Sequence, residues 1–298
     1  MRTLLFKTML LFLVGYGYAL TAQELPVSVP IDSTISLREL LDPNLQQKLE
    51  QTLNNNKQWK SLIFQKKMAV GIVDLKDIKH IRFARVNGNE MMYAASLPKI
   101  AVLLASIDAI DKGELKETPT IKHDMLMMIS RSNNQATTRM IDRIGYDKIE
   151  AVLTSDRYNL YDKESGGGLW VGKRYAAGGA TNREPLKNLS HAATVTQVCR
   201  FYYMLFQGKL VNKKRSAQML EIMTDPSLHH KFVSTLDKIA PGVRLFRKSG
   251  SWSTYHSDSI LVWGSPSRRY ILVALVNDKN GEQIIRNLVI PIEKVLNE

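Results

Sequence analysis

Three short motifs carry hydroxyls and amines at spacings suited to nucleophilic catalysis without histidine: Ser96-Leu97-Pro98-Lys99, Ser132-Asn133-Asn134 and Lys248-Ser249-Gly250. In the first, positions i and i+3 of a helix share a face, so the Lys99 amine is expected beside the Ser96 hydroxyl. A lysine in a dry, cationic site gives up its proton readily and can act as base. The plainer alternative makes Ser96 a helix cap and Lys99 a surface residue. In the second motif Ser132 is suited to relay a proton to a leaving nitrogen and Asn134 to hold a substrate amide; otherwise the segment is a solvated helix end. In the third, a glycine inside a strand marks close approach of a ligand or another backbone. Lys248 and Ser249 would then meet a substrate carboxylate, and the Ser251 amide would join that of Ser96 as oxyanion donors. Chance places about one Ser-x-x-Lys in a chain of this size, so the ordered set of three carries the weight.

The frame that would hold these side chains is visible in the apolar pattern. Residues 68–74 and 80–86 read as two strands joined by a turn. From Ser96 the pattern turns helical, and the run 100–107 is apolar on every side, as in a buried helix. Helical spacing continues over 125–144, interrupted by the polar Ser-Asn-Asn, and over 194–207 and 215–223. Strand patterns return at 244–249, 257–263 and 270–276, and a helix over 283–296 closes the chain. Ahead of all these, Leu37, Leu40, Leu41, Leu45, Leu49 and Leu53 predict one helix from Ser36 to the Asn54-Asn55-Asn56 run.

Strands at both ends with helices between them predict an α+β fold. One antiparallel sheet is formed from both chain ends and flanked by helices, with an inserted all-helical lobe. The domain would span 23–298, with an α/β lobe at about 23–95 and 243–298 and a helical lobe at about 96–242. The stretch 166–179, with six glycines around Leu169-Trp170-Val171, lacks the strand-to-helix setting of a phosphate loop. It reads as a long loop of the kind that often serves function.

At 298 residues, 44% hydrophobic and 23% charged, the chain has the make-up of one ordinary globular domain or two lobes sharing a core. Arg2, Lys7 and the apolar run 9–14 predict a signal peptide over 1–22, cleaved after 17–19 or 20–22, and a periplasmic or secreted protein. That run is shorter than the roughly 20 residues a spanning helix needs, so no stable membrane anchor is expected after cleavage. Cys199 is the sole cysteine, which excludes an internal disulfide. The formal charge of +13, or +11 once Arg2 and Lys7 leave, is scattered in pieces such as Lys213-Lys214-Arg215 and Arg268-Arg269. Solvated surface charge explains it better than a nucleic-acid partner. Six histidines without a His-Glu-x-x-His pattern argue against a zinc hydrolase, and no metal or other cofactor is expected. His229-His230 reads as loop, His256 as packed or exposed, and Trp170 and Trp252 as pocket walls or core. A monomer is expected.

Together the three motifs resemble those of the penicillin-recognising serine enzymes, the superfamily of class A β-lactamases and penicillin-binding D,D-peptidases. The resemblance spans roughly residues 68–276. It implies that Ser96 is the acylated nucleophile, Lys99 its proton partner, Ser132 the proton shuttle and Asn134 a substrate amide contact. Lys248 with Ser249 would be the carboxylate site. Ala193-Thr194-Val195 is similar to the start of a late helix in these enzymes.

The pattern departs from class A at Asn133, where Asp is usual, and at Ser249, where Thr is usual; the 36-residue interval from Ser96 to Ser132 is also short. Class A enzymes deacylate with a Glu-x-x-x-Asn glutamate, which Glu184-Pro185-Leu186-Lys187-Asn188 matches in letters, though close to Thr194. Glu164 is a second candidate, and either can be a surface glutamate. The activity so implied is hydrolysis of a β-lactam amide through an acyl-enzyme on Ser96. The alternatives are a D,D-carboxypeptidase or other peptidoglycan-directed hydrolase acting on a D-Ala-D-Ala-type peptide, and a non-hydrolysing penicillin-binding sensor.

Overall fold

The computed structural model describes residues 25–28, 35–224 and 226–298; the expected signal segment lies outside them. The Asp42 side chain accepts from the Leu45 amide at 2.7 Å and Pro43 opens the first helix, α1 (Pro43–Asn54). Aspartate at a cap followed by proline starts a helix afresh. The single helix expected from Ser36 is therefore divided: Leu37–Leu40 is a separate 3₁₀ turn, and Leu41 bridges to Phe83 before α1 begins. Leu45, Leu49 and Leu53 form the buried face of α1. A short helix the apolar pattern did not announce, α2 (Lys57–Phe64), is capped by the Asn56 side chain and buries Trp59 and Leu62.

Next come β1 (Met68–Asp74), β2 (Arg82–Val86) and β3 (Met92–Tyr93), then α3 (Lys99–Asp111), buried from Lys99 to Ile110 as its all-apolar sequence implies. The helical region continues with α4 (Pro119–Ser130), α5 (Asn134–Ile144) and α6 (Tyr146–Thr154). Short strands follow: β4 (Tyr161–Asp162), β5 (Gly167–Gly168), β6 (Trp170–Val171) and β7 (His191–Ala193). Then come α7 (Val195–Phe206), α8 (Lys213–Met223) and α9 (Phe232–Ile239). The chain ends in β8 (Arg244–Trp252), β9 (Tyr255–Trp263), β10 (Arg269–Asn277) and α10 (Gly281–Asn297).

The main sheet has five antiparallel strands in the order β2-β1-β10-β9-β8. The two chain ends meet where β1 pairs with β10, from Met68 opposite Val276 to Asp74 opposite Tyr270. Helices α1, α9 and α10 cover one face, where Leu49, Phe232 and Leu288 pack with Val70, Ile72 and Leu272. Helix α7 covers the other, where Val195 and Cys199 join Ala69, Val73 and Val273. Alternate residues of β1 thus enter two different cores, which is why the strand is apolar throughout. Gly71 is where α7 comes closest, since a Cβ there would stand 2.9 Å from Cys199 Sγ. Among the described residues no helix is long and apolar enough to cross a membrane.

Candidate active site

Two of the three motifs depend on backbone conformations that L-residues resist. Ala95 has φ 50° and Ser132 φ 53°, and each such residue costs of order 1–3 kcal/mol, held in place by its surroundings. The Ala95 turn leaves Ser96 ahead of α3 rather than inside it, with Lys99 as the first helical residue. Ser132 lies in the break between α4 and α5, and the Asn133 side chain caps α5 by accepting from the Ala136 amide at 2.8 Å. The interruption expected within 125–144 is therefore a turn between two helices. The third motif lies on β8, the edge of the main sheet, against the nucleophile turn. A Cβ on Gly250 would stand 2.4 Å from Ala94 O and 2.6 Å from Ser96 N, so only glycine fits. On β9, the Ser257 hydroxyl donates to Ala94 O at 2.8 Å and fixes the same turn from behind.

Lys99 Nζ donates to Ser132 O at 2.6 Å and Asn134 Oδ1 at 2.7 Å, with Ser132 Oγ at 3.4 Å. Lys248 Nζ donates to the same Ser132 Oγ at 2.9 Å and to Ser249 O at 2.7 Å. One hydroxyl thus sits between two amines. The half-buried Ser96 hydroxyl makes no hydrogen bond among the described residues. The Lys99 amide donates to Ser96 O at 3.3 Å, so the two residues share one turn at i and i+3. The Lys99 amine makes its hydrogen bonds to the second motif and none to the Ser96 hydroxyl. Such contacts commonly tighten only when substrate is bound.

Both lysines are buried, which disfavours their charged forms. Burial brings Lys99 down to about 7. Lys248 is pushed well below its usual value by burial first, then by Lys99 and Arg247. Among the described residues no carboxylate bonds or ion-pairs with either amine. Asp258, the acid on the neighbouring strand, is taken by Arg247 through contacts of 2.7 and 2.9 Å.

Glu184 is not brought into this cluster. Its carboxylate is buried and accepts from the Tyr161 hydroxyl and from the amides of Leu186 and Lys187, both at 2.6 Å. The match to Glu-x-x-x-Asn therefore marks a turn that the glutamate itself holds together, and none of its hydrogen bonds reaches Ser96, Lys99, Ser132 or Lys248. Glu164 lines a separate pocket with Asp162, Tyr161, Glu150, Trp170 and Pro185. Trp170 is core, its ring tilted against Tyr161 with centroids 4.7 Å apart, whereas Trp252 is 68% exposed and walls the cleft. His256, on β9, packs against Gly281.

What the glycine-rich loop supplies is Tyr175. Its hydroxyl donates to Ala95 O at 3.0 Å, and its ring lies 4.4 Å from Lys99 Nζ and 4.1 Å from His191. His191 donates from Nε2 to Lys173 O at 3.0 Å, and burial, ahead of smaller effects, lowers it to about 4, so it is neutral at physiological pH. Neither residue carries a local sequence signal; His191 is placed by β6 and β7 pairing, with Val171 opposite it, and Tyr175 lies in the loop beyond the Lys173–Thr181 bridge. The cleft in front of the cluster, about 610 Å³, is lined by Asn134, Lys173, Tyr175, His191, Trp252 and Tyr255 among others, and no lining residue is acidic. Among the described residues no group of three or more His, Cys, Asp or Glu is placed to hold a metal ion.

A sheet built from both chain ends, with a serine turn, a two-lysine cluster and a glycine edge packed together, defines a class of serine hydrolase. A model of the beta-lactamase enzyme family matches residues 49–126 and 116–292. The chain belongs to that family and is a serine β-lactamase-like hydrolase. Solved structures agree on the fold. A class A β-lactamase representative from Bacteroides cellulosilyticus is 17% identical with a TM-score of 0.64, over 86% of this chain and 99% of that one. A β-lactamase from Sphaerobacter thermophilus is 20% identical with a TM-score of 0.61, over 79% and 94%. A mutant of PBP-A, solved as an acyl-enzyme complex with penicillin G, is 18% identical with a TM-score of 0.62, over 90% and 98%. A search of curated proteins finds no match.

Proposed function

We propose that this hydrolase forms an acyl-enzyme on Ser96 with β-lactams and D-Ala-D-Ala-type peptides, and that it releases β-lactam adducts slowly, as a penicillin-binding D,D-peptidase does. The observation that carries this reading is the Lys99–Ser132–Lys248 cluster, complete for acylation and without a carboxylate partner. Neutral Lys99 takes the Ser96 proton as the serine oxygen bonds to the carbonyl carbon. The amides of Ser96 and Ser251 hold the developing oxyanion. As the carbon–nitrogen bond breaks, the leaving nitrogen receives a proton from the Ser132 hydroxyl, which is replenished from the amines on either side. Lys248 uses two of its three protons within the protein, so the third, with the Ser249 hydroxyl, meets the substrate carboxylate. Asn134, whose oxygen faces Lys99, turns its NH₂ to the substrate amide.

Efficient β-lactam turnover is the second reading, favoured by the family match. It would need a base other than Glu184 to activate water. Export after loss of 1–22, the single catalytic domain over 23–298 and the monomeric state belong to this proposal and rest on the leader sequence and the shared sheet. Steady-state loss of the β-lactam amide absorbance and release of D-alanine from a cell-wall peptide test it together. D-alanine release with slow β-lactam loss supports it; fast, saturable β-lactam loss favours the second reading.

A further inference from the structure

Lys231 is a third fully buried lysine, and no step above uses it. It precedes α9 with φ 56° and ψ −125°, a backbone conformation costly for a side chain of its size. Its three ammonium protons go to Gly250 O at 2.5 Å, Ser251 Oγ at 2.8 Å and Ser257 O at 3.0 Å. All its donors are used and all end on the β8–β9 hairpin directly behind the nucleophile turn. The charged or titratable groups around it are Arg247 on β8, Asp258 and His256 on β9, Glu282 on α10 and the adjacent His230. Burial, the largest effect, lowers it only to about 8, so it stays protonated at neutral pH.

Gly250 O and the Ser251 N–H belong to one conjugated peptide unit. A cation on that oxygen draws electron density from the nitrogen and makes its N–H a stronger donor, as in any chain of hydrogen bonds that polarise one another. We infer that Lys231 is a positioning residue that strengthens the Ser251 N–H as oxyanion donor by holding and polarising the peptide joining Gly250 to Ser251. This rests on the proposed acylation of Ser96. The same ammonium holds Ser257 O, and the Ser257 hydroxyl donates to Ala94 O in the nucleophile turn.

The test is penicillin acylation of the wild type, Lys231→Met and Lys231→Gln, followed by intact mass, with the infrared carbonyl stretch of each ester adduct. Loss of the charge in Lys231→Met should slow acylation on the order of 10-fold, a fraction of the effect of deleting a whole oxyanion donor. The ester stretch should move to higher wavenumber as its hydrogen bond weakens. Lys231→Gln keeps a neutral donor and the fold, and should fall between the two in both readouts. Variants that acylate within twofold of wild type, or acylate slowly with an unshifted stretch, overturn the inference while leaving the Ser96 reading intact. A wild type that forms no adduct overturns the reading beneath it.

Discussion

Lys99→Met separates what the lysine does for chemistry from what its burial does to the fold. Its proton affinity falls from the usual 10.5 to about 7 on folding, through desolvation. At about 1.4 kcal/mol per tenfold change, this penalises the folded state by about 5 kcal/mol at pH 6 and about 2 kcal/mol at pH 9. Folding releases a proton from Lys99 at any pH between the two values, so the penalty is full below about 7, shrinks as pH rises and vanishes near 10.5. Methionine has no such penalty but forgoes the hydrogen bonds to Ser132 O and Asn134 Oδ1, each worth about 1 kcal/mol. The variant should therefore be more stable than wild type by about 2–3 kcal/mol at pH 6 and nearly equal to it at pH 9. It also relieves Lys248 of a like charge, a gain of the same sign. Urea unfolding of both proteins at the two pH values measures this, alongside a loss of acylation of about 100-fold or more for want of the base. A stability difference that does not change between pH 6 and pH 9, or a loss of stability at pH 6, would refute the buried, proton-poor lysine.

Wild-type acylation should rise about tenfold from pH 6 to pH 8, because it needs the neutral Lys99 amine with its value of about 7; a flat or falling profile in rapid-quench measurements contradicts this. Ser132→Ala should slow acylation about 100-fold or more with stability changed by less than about 1 kcal/mol, because it removes the hydroxyl between two amines and little packing. Gly250→Ala should lose acylation and about 1–3 kcal/mol of stability together, since its Cβ would meet Ala94 O and Ser96 N, and unchanged rates would show that the edge has room to move. Glu184→Gln should lower stability by about 1–3 kcal/mol, because one of three donors loses its acceptor, and leave the adduct lifetime within about threefold. A much longer lifetime would restore Glu184 as the base.

The sheet formed from both chain ends was legible because β1 and β10, covered on both faces, write burial as unbroken apolar runs. The motifs were legible because each sits where the chain changes state: before α3, between α4 and α5, and on an edge strand. Helices of eight or nine residues were not. α2 and α9 are too short to show a period, and α6 starts after Gly145 at φ 77°. The Asp42 cap with Pro43 outweighed a leucine spacing that ran straight through them. Within the site, spacing put Ser96 and Lys99 on one turn, which the Lys99 amide closes onto Ser96 O; that the Lys99 amine also bonds Ser132 O and Asn134 Oδ1, 33 and 35 residues on, carries no local signal. Glu184 fits its motif in letters, but its partner Tyr161 stands 23 residues upstream, where no local pattern announces it. Tyr175 and His191 were hidden for the same reason, one tied to Ala95 O 80 residues away and the other placed by strand pairing rather than by neighbours in sequence.

The central claim is that Ser96 is acylated readily and released slowly. Brief exposure of the protein to penicillin, rapid removal of free drug, and peptide mapping by mass spectrometry over the following hours test it most directly. The account predicts one penicilloyl group per chain, on the peptide containing Ser96 and absent from Ser96→Ala, persisting for minutes or longer. An adduct on another residue, no adduct, or complete hydrolysis before the first time point would contradict it.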